Sequence, residues 1–159
     1  MSINVRELIV AVDPYGYIGT NGNLGFHEPH DMAWFRWYTE GKTIVAGRKT
    51  AESFGWCKDS RPQPLPGRKL IVLSSDPSIG MTLDEVLRLD ESICFVGGAN
   101  VYEQVLPHVH RAVVTHLETL INEPDAKFNT AYLVKRFDKW VTVKAWDTAR
   151  ITIYEHIKR

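Results

Sequence analysis

Asp31 stands near the head of 29-PHDMAWFR-36, a stretch rich in apolar and aromatic residues. An ionised carboxylate loses several kcal/mol of hydration on burial, so such a placement needs a partner or a purpose. On a helix over residues 29–38, Asp31 and Phe35 are four apart and share a face, with Met32 at its border. A carboxylate with apolar and aromatic neighbours suits a flat heterocycle whose amidine-like edge presents two parallel donors. A carboxylate in a first turn also serves as a helix cap, and spacing alone leaves both readings open.

Two further stretches carry chemistry in their backbones. In 44-IVAGRKT-50, Gly47 permits a tight turn, the cations Arg48 and Lys49 follow, and a helix begins. In 93-ICFVGGAN-100, Gly97 and Gly98 let the backbone come close to a ligand before another helix starts. Helix amino ends present free N–H groups and partial positive charge, so two side by side would fit a pyrophosphate. Neither stretch is a Gly-x-Gly-x-x-Gly or Walker pattern, and a plain glycine turn accounts for either one taken singly. A third strand end, 73-LSS-75, has no acidic residue at Ser74 or Ser75 to hold a ribose 2′-hydroxyl, and Arg48 is available for a 2′-phosphate. Asp76 comes next and could take the hydroxyl role instead.

The elements that must position these residues alternate along the chain. Residues 6–12, 43–47, 69–75, 92–96 and 111–117 read as apolar strands, separated by helical stretches over 29–38, 48–54, 82–89 and 99–106. Thr82 and Glu85 form a capping box at the head of the third helix. Residues 13–25 are rich in turn formers, and 140–146 with 151–157 alternate around 147-DTAR-150 as a hairpin. The pattern predicts an α/β fold: a single domain with a mostly parallel central sheet, flanking helices and a C-terminal antiparallel hairpin. Ligands of such sheets lie beyond the carboxyl ends of the strands.

Composition narrows the function classes. The 159 residues carry 19 basic and 19 acidic side chains, so no global field favours nucleic acid or an acidic membrane. That length supports a core without disulfides or a structural metal. Cys57 and Cys94 lie far apart and read as free thiols in a reducing compartment. The apolar run near the amino end spans only residues 8–12 and has no basic leader, which points to a strand and a cytoplasmic setting. His27 and His30 lack a third ligand nearby, so no metal site is expected.

The order and spacing of 18-IG-19, 31-DMAWF-35, 47-GRKT-50, 65-LPGRK-69, 73-LSS-75, 96-VGGANVYEQVLP-107 and 115-TH-116 resemble the dihydrofolate reductase family along nearly the whole chain. The resemblance implies one domain over residues 1–159 that passes hydride from NADPH to dihydrofolate, acts as a cytoplasmic monomer and binds antifolate inhibitors. It makes Asp31 the ionisable group at the pterin, hydrogen-bonded to Thr115, and lines the pocket with Ile9, Met32, Phe35, Phe54 and Leu65. Asp31 would orient and polarise the pterin while a water delivers the proton. Arg68 is implied to pair with the α-carboxylate of the substrate's glutamyl tail. The cofactor would run along Ala11, Ile18 and Gly19, the turn Gly47-Arg48-Lys49-Thr50, and Leu73-Ser74-Ser75. Its remaining contacts would be Val96, Gly97, Gly98, Ala99, Asn100, Val101 and Tyr102, with a cis peptide joining the two glycines.

The chain also departs from the family pattern. Gly25-Phe26 stands where the family usually has Pro-Trp, which removes an indole that helps hold a water near the pterin. Asn100 replaces a residue that is often basic, and Pro124-Asp125 replaces a common Gly-Asp. Residues 56–64 are longer than the usual turn and read as a solvated loop. A pyrimidine-reducing relative and a folate- or nucleotide-binding protein without turnover are the alternative readings.

Overall fold

The computed structural model describes residues 4–19, 28–59 and 65–156. Gly25-Phe26, His27, residues 60–64 of the long turn and the last three residues lie outside that set. The first half of the chain forms β1 (Arg6–Val12), β2 (Tyr17–Gly19), α1 (Pro29–Thr39), β3 (Thr43–Gly47), α2 (Arg48–Ser53) and β4 (Lys69–Leu73). The second half forms α3 (Leu83–Leu87), β5 (Ile93–Gly97), α4 (Ala99–Val105), β6 (Arg111–Leu117), β7 (Ala126–Lys127), α5 (Thr130–Arg136), β8 (Lys139–Trp146) and β9 (Ala149–Glu155).

Seven strands make one sheet in the order β4-β3-β5-β1-β6-β9-β8. The first five run parallel, while β9 is antiparallel to both β6 and β8. Parallel strands are covered on both faces, which is why their sequences are nearly continuous apolar runs. Alternation along β1 sends Leu8, Val10 and Val12 to one face and Ile9 to the other. The first face packs against α3, α4 and α5 through Val86, Val101, Val105 and Leu133. The second receives α1 and α2 through Trp34, Phe35, Ala51 and Phe54. No helix among the described residues is long and apolar enough to cross a membrane.

The expected α/β architecture holds, with local corrections. The strand expected over 69–75 stops at Leu73, because Met81 bridges to Leu73 and the Ser74 N–H donates to the Met81 carbonyl at 2.8 Å. The helix over 99–106 ends at Val105, and a 3₁₀ turn, Leu106–His108, follows where Pro107 has no N–H to continue an α-helix. The expected solvated loop over 56–64 begins differently, since Trp56 is buried in the apolar cluster on the α1 side. The capping box is present: the Glu85 N–H donates to Thr82 Oγ1 at 3.2 Å and the Thr82 N–H to Glu85 Oε1 at 3.1 Å. Strands β2 and β7 pair with each other in stretches too short to show alternation. Helix α5 spans only seven residues, too few for a periodic signal, although Asn129 caps it by accepting the Tyr132 N–H at 3.2 Å.

One buried charge ties several elements together. Glu7 on β1 is only 4% exposed. It accepts from Lys42 Nζ at 2.9 Å and from the Tyr38 hydroxyl, and its other neighbour is Arg111 at 3.5 Å. Arg111 Nε in turn donates to Glu155 Oε2 at 3.3 Å, and the Lys42 ammonium sits 3.7 Å from the Tyr38 ring centroid. The tail of α1 is thereby fixed to β1, β6 and β9. Removing one partner from a buried ionic group leaves the others uncompensated, so Glu7→Ala is expected to cost on the order of 3 kcal/mol in denaturant unfolding. Lys69→Ala, at the exposed Lys69–Glu91 pair, is expected to cost under about 1 kcal/mol in the same measurement.

Candidate active site

The site is built around the head of α1. Glu28 caps this helix by accepting the His30 N–H at 3.2 Å, and Pro29 occupies the first turn, where its missing N–H costs nothing. The other Glu28 oxygen accepts from the Thr148 hydroxyl at 2.7 Å, and the His30 ring lies 5.2 Å from that of Trp146. The terminal hairpin therefore clasps the turn that carries Asp31. Thr115, fully buried on β6, donates its hydroxyl to Asp31 Oδ1 at 2.5 Å. Burial pushes the Asp31 carboxyl above its ordinary value; the Thr115 hydrogen bond opposes this, and the nearby Glu28 charge adds to the rise. Among the described residues no hydrogen bond reaches the second Asp31 oxygen.

Four of the expected pocket residues gather on the face of the sheet that receives α1. Ile9, Phe35, Phe54 and Leu65 belong to one cluster, and the Phe35 and Phe54 rings are stacked with centroids 5.9 Å apart. Leu65 holds a left-handed backbone, φ 57°, which is uncommon for a non-glycine residue. Met32 stands at the solvent border of the same helix, 37% exposed. At the other end of α1, Arg68 is bound by Thr39, Pro66 and Arg36. Thr39 carries no signal in the sequence that would single it out, because its partner lies 29 residues away.

The two glycine turns meet on the sheet. Strands β3 and β5 are neighbours with Ala46 opposite Gly97, so α2 and α4 begin side by side. A Cβ on Gly98 would approach Thr50 Oγ1 to 3.2 Å, and one on Gly47 would approach Val101 Cγ2 to 3.2 Å. Both glycines thus keep a narrow backbone cradle open. The Gly97–Gly98 peptide is cis. Arg48, Lys49 and Ser75 are exposed beside this cradle's strand ends, while Val96 and Gly19 are buried. Ile18, Val101 and Tyr102 share the apolar cluster of the α4 side, with Leu73 and Ala99 packed against it. The buried Tyr102 hydroxyl donates to the Ile9 carbonyl at 2.6 Å and so joins the glycine cradle to the Asp31 pocket. Ala11 is paired in register with Thr115, next to the same pocket.

Three polar residues are committed locally. Asp76 Oδ1 accepts from the Ser78 N–H at 2.9 Å and the Ser78 hydroxyl at 2.8 Å, which holds its carboxyl below the usual range. Asn100 Oδ1 accepts from Gln104 Nε2 at 3.1 Å. Ser74 Oγ accepts the Asp76 N–H at 3.0 Å. The Asp125 N–H donates to the Gly19 carbonyl at 2.9 Å, so the Pro124-Asp125 segment leads directly into the β2–β7 pair. A cavity of about 270 Å³ between α4 and α5 touches Ala99 and Tyr102 but none of the Asp31 wall. Among the described residues no three His, Cys, Asp or Glu side chains gather as a metal site.

Comparison with known proteins agrees with this geometry. A family model described as dihydrofolate reductase matches residues 6–150. The chain is similar to the dihydrofolate reductase of Bacillus subtilis, 36% identical over 121 residues, covering 70% of this chain and 68% of that one. It is 35% identical over 123 residues to the Haemophilus influenzae dihydrofolate reductase, covering 71% and 72% of the two chains. A solved structure of Enterococcus faecalis dihydrofolate reductase, complexed with NADP(H) and RAB-propyl, superposes with a TM-score of 0.75 at 25% identity over 95% of each chain. Strand order, pocket and sequence match therefore converge: the chain belongs to the dihydrofolate reductase family.

Proposed function

We propose that this chain reduces 7,8-dihydrofolate to 5,6,7,8-tetrahydrofolate with NADPH, as a single cytoplasmic domain over residues 1–159 that acts as a monomer. The observation that carries the reading is the Asp31–Thr115 pair, 2.5 Å apart, on the helix whose Phe35 joins the apolar cluster of Ile9, Phe54 and Leu65. One Asp31 oxygen is held by Thr115, and the second faces no competing donor among the described residues. A pterin's ring nitrogen and exocyclic amine would donate to this carboxylate as a fork. Phe35 and Phe54 would exclude water from the ring's faces, which strengthens every polar contact inside the pocket.

The paired glycine turns support the cofactor assignment, because side chains at Gly47 or Gly98 would fill the space between the two helix heads. Bound there, NADPH supplies the hydride. Arg48, Lys49 and Thr50 would meet its phosphates, and Arg48 with Ser74 and Ser75 its 2′-phosphate. The alternative use of Asp76 on a 2′-hydroxyl is disfavoured by the two Ser78 hydrogen bonds that already occupy its Oδ1. Asp31 orients and polarises the pterin, and water delivers the proton to the ring nitrogen next to the carbon that is reduced. Antifolates with the same amidine edge would compete for Asp31.

Following NADPH absorbance after addition of dihydrofolate, with and without an antifolate, tests the reading directly. Asp31→Asn keeps the shape and removes the charge, so kcat/KM near neutral pH is expected to fall by about 10²–10⁴-fold. Activity of this variant should recover toward acid pH, where the substrate arrives already protonated, and NADPH binding should persist. A folded variant with wild-type turnover would leave Asp31 as a helix cap.

Cofactor choice gives a second test. NADPH is expected to exceed NADH in kcat/KM by a wide margin, and Arg48→Ala should hurt NADPH more than NADH. Equal values for both cofactors in the unaltered protein would defeat the 2′-phosphate assignment.

Stability against pH gives a third. Burial raises the folded-state pKa of Asp31 above its unfolded value of about 3.9. The folded state therefore holds the proton more tightly, and this contribution is fully present below the unfolded pKa. It is lost as pH rises through the folded pKa. Asp31→Asn cannot lose it, so the variant should gain on the wild type as pH rises from about 4 and keep that advantage at neutral pH. Denaturant titrations of the ligand-free proteins between pH 4 and 8 measure it; a difference that stays constant with pH would contradict the buried carboxylate.

A further inference from the structure

Basic side chains gather at the amino ends of β1 and β6, the end of the sheet away from Thr115 and Asp31. Strands β1, β6 and β9 are neighbours, and Glu7 and Glu155 are both in register with Arg111. One step toward that end therefore sets Arg6, His110 and His156 in a row. Neighbouring strands lie about 5 Å apart, so the row spans about 10 Å. Alternation sends all three side chains to the face of Leu8, Ala112 and Tyr154, where α5 also packs. Arg136, in the last turn of α5, reaches the same row and donates from Nη2 to the Val109 carbonyl at 3.1 Å. The His156 ring lies 5.2 Å from that of Phe137, the residue after Arg136. Both histidines are exposed and both arginines half-buried.

These groups hold more donors than the fold satisfies. A guanidinium carries five N–H groups. Arg6 Nη2 donates to the Leu87 carbonyl at 2.9 Å, so each arginine meets a neutral backbone oxygen rather than a carboxylate. Arg136 Nε is buried and has no acceptor among the described residues, which is rare in a folded chain. His110 Nδ1 accepts the Arg6 N–H at 3.2 Å, which leaves the proton of the neutral ring on Nε2 as one more donor. Burial holds the His110 ring below its ordinary pKa, and the charges of Arg6, Arg136 and His156 push it the same way. The carboxylates of the surrounding elements are engaged elsewhere. Asp90 accepts from Asn4 Nδ2 at 2.7 Å and Glu155 from Arg111 Nε at 3.3 Å, while Glu85 caps α3 and Asp138 has a partner of its own.

We propose that Arg6, His110, Arg136 and His156 form an anion site for a phosphate group, separate from the glycine cradle and the Asp31 pocket. A tetrahedral dianion offers oxygens in several directions, which suits donors that arrive from three strand ends and one helix. A carboxylate offers two oxygens in one plane, which suits a single guanidinium fork. The guanidinium of Arg136 turns toward the anion and gives its orphaned Nε–H an acceptor. Arg6 and the His110 Nε2–H meet further oxygens, and His156 closes the exposed rim, where an ester substituent has room to leave. The bound dianion offsets the repulsion among the cations and ties the end of α5 to β1, β6 and β9.

Nuclear magnetic resonance of the histidine rings, in the full chain without cofactor, tests this residue by residue. Inorganic phosphate, titrated at constant pH and ionic strength against chloride, is expected to move the His110 and His156 signals together and saturably. It should also raise the pKa of His110, while the signals of His30 and His116, at the other end of the sheet, stay in place. Glycerol phosphate probes a phosphate group carried on a larger molecule and should act on the same two rings, whereas acetate should bind at least about tenfold more weakly. Arg136→Gln is expected to weaken phosphate about tenfold, the size of a hydrogen bond to a charged group, and to shrink the phosphate-induced rise in Tm. If Arg136→Gln does not fold, by circular dichroism, His156→Gln at the exposed rim carries the same comparison. Chloride acting as strongly as phosphate, acetate binding as tightly, or a folded variant that binds phosphate like the wild type would overturn the proposal. Saturable movement of His30 or His116 in place of His110 and His156 would put the ion at the other end of the sheet and overturn it as well.

Discussion

The Asp31–Thr115 hydrogen bond is the contact on which the arrangement of the site depends. A carboxylate withdrawn from water loses hydration, and the Thr115 hydroxyl at 2.5 Å returns part of what is lost. Because Thr115 sits in the middle of a parallel strand, the bond also fixes how α1 lies across the sheet. The hairpin reinforces that placement from the other side, through Thr148 on Glu28 and Trp146 beside His30. A charge that is costly to bury is held where a ligand with the right edge would relieve the cost, and the surrounding contacts leave it little freedom to escape to water.

The far end of the same helix meets a second polar cluster with a different purpose. Glu7, Tyr38, Lys42 and Arg111 compensate one another, so the buried Glu7 carboxylate finds its partners within the fold. Burial raises the Tyr38 hydroxyl well above its ordinary range, and the Glu7 charge pushes it in the same direction; the phenol stays protonated and donates. Asp31 differs. Glu7 is buried outright and Asp31 only in part, and Glu7 is flanked by cations whereas Asp31 has one neutral hydroxyl and another acid nearby. The first arrangement compensates its charge within the fold; the second leaves one carboxylate oxygen without a hydrogen bond among the described residues.

The glycine cradle and the acid pocket occupy neighbouring strand ends, and their closeness follows from strand order. Placing β5 between β3 and β1 sets the heads of α2 and α4 together and brings the Ile9 carbonyl within reach of the Tyr102 hydroxyl. That order of strands lets the glycine turns and the Asp31 pocket share a wall.

Local signals determined much of this protein. Apolar runs placed the five parallel strands, alternation placed the terminal hairpin, and Thr82 with Glu85 announced the cap of α3, because each of these depends on residues within one element. Glycines after two strands, and Asp31 before an aromatic face, are legible as candidate site residues for the same reason. Helix α5 was locally encoded but weakly: seven residues carry too few turns for a periodic signal, even with Asn129 as its cap. Strands β2 and β7 carry no signal of their own and exist through each other, more than a hundred residues apart. The roles of Glu7 and Thr39 were likewise undetermined by sequence, since one reads as a polar interruption of a strand and the other as the end of a helix. Only folding brought Glu7 to Arg111 and Thr39 to Arg68, and hydrogen bonds between distant segments are set by how helices lie on a sheet, which no local pattern specifies.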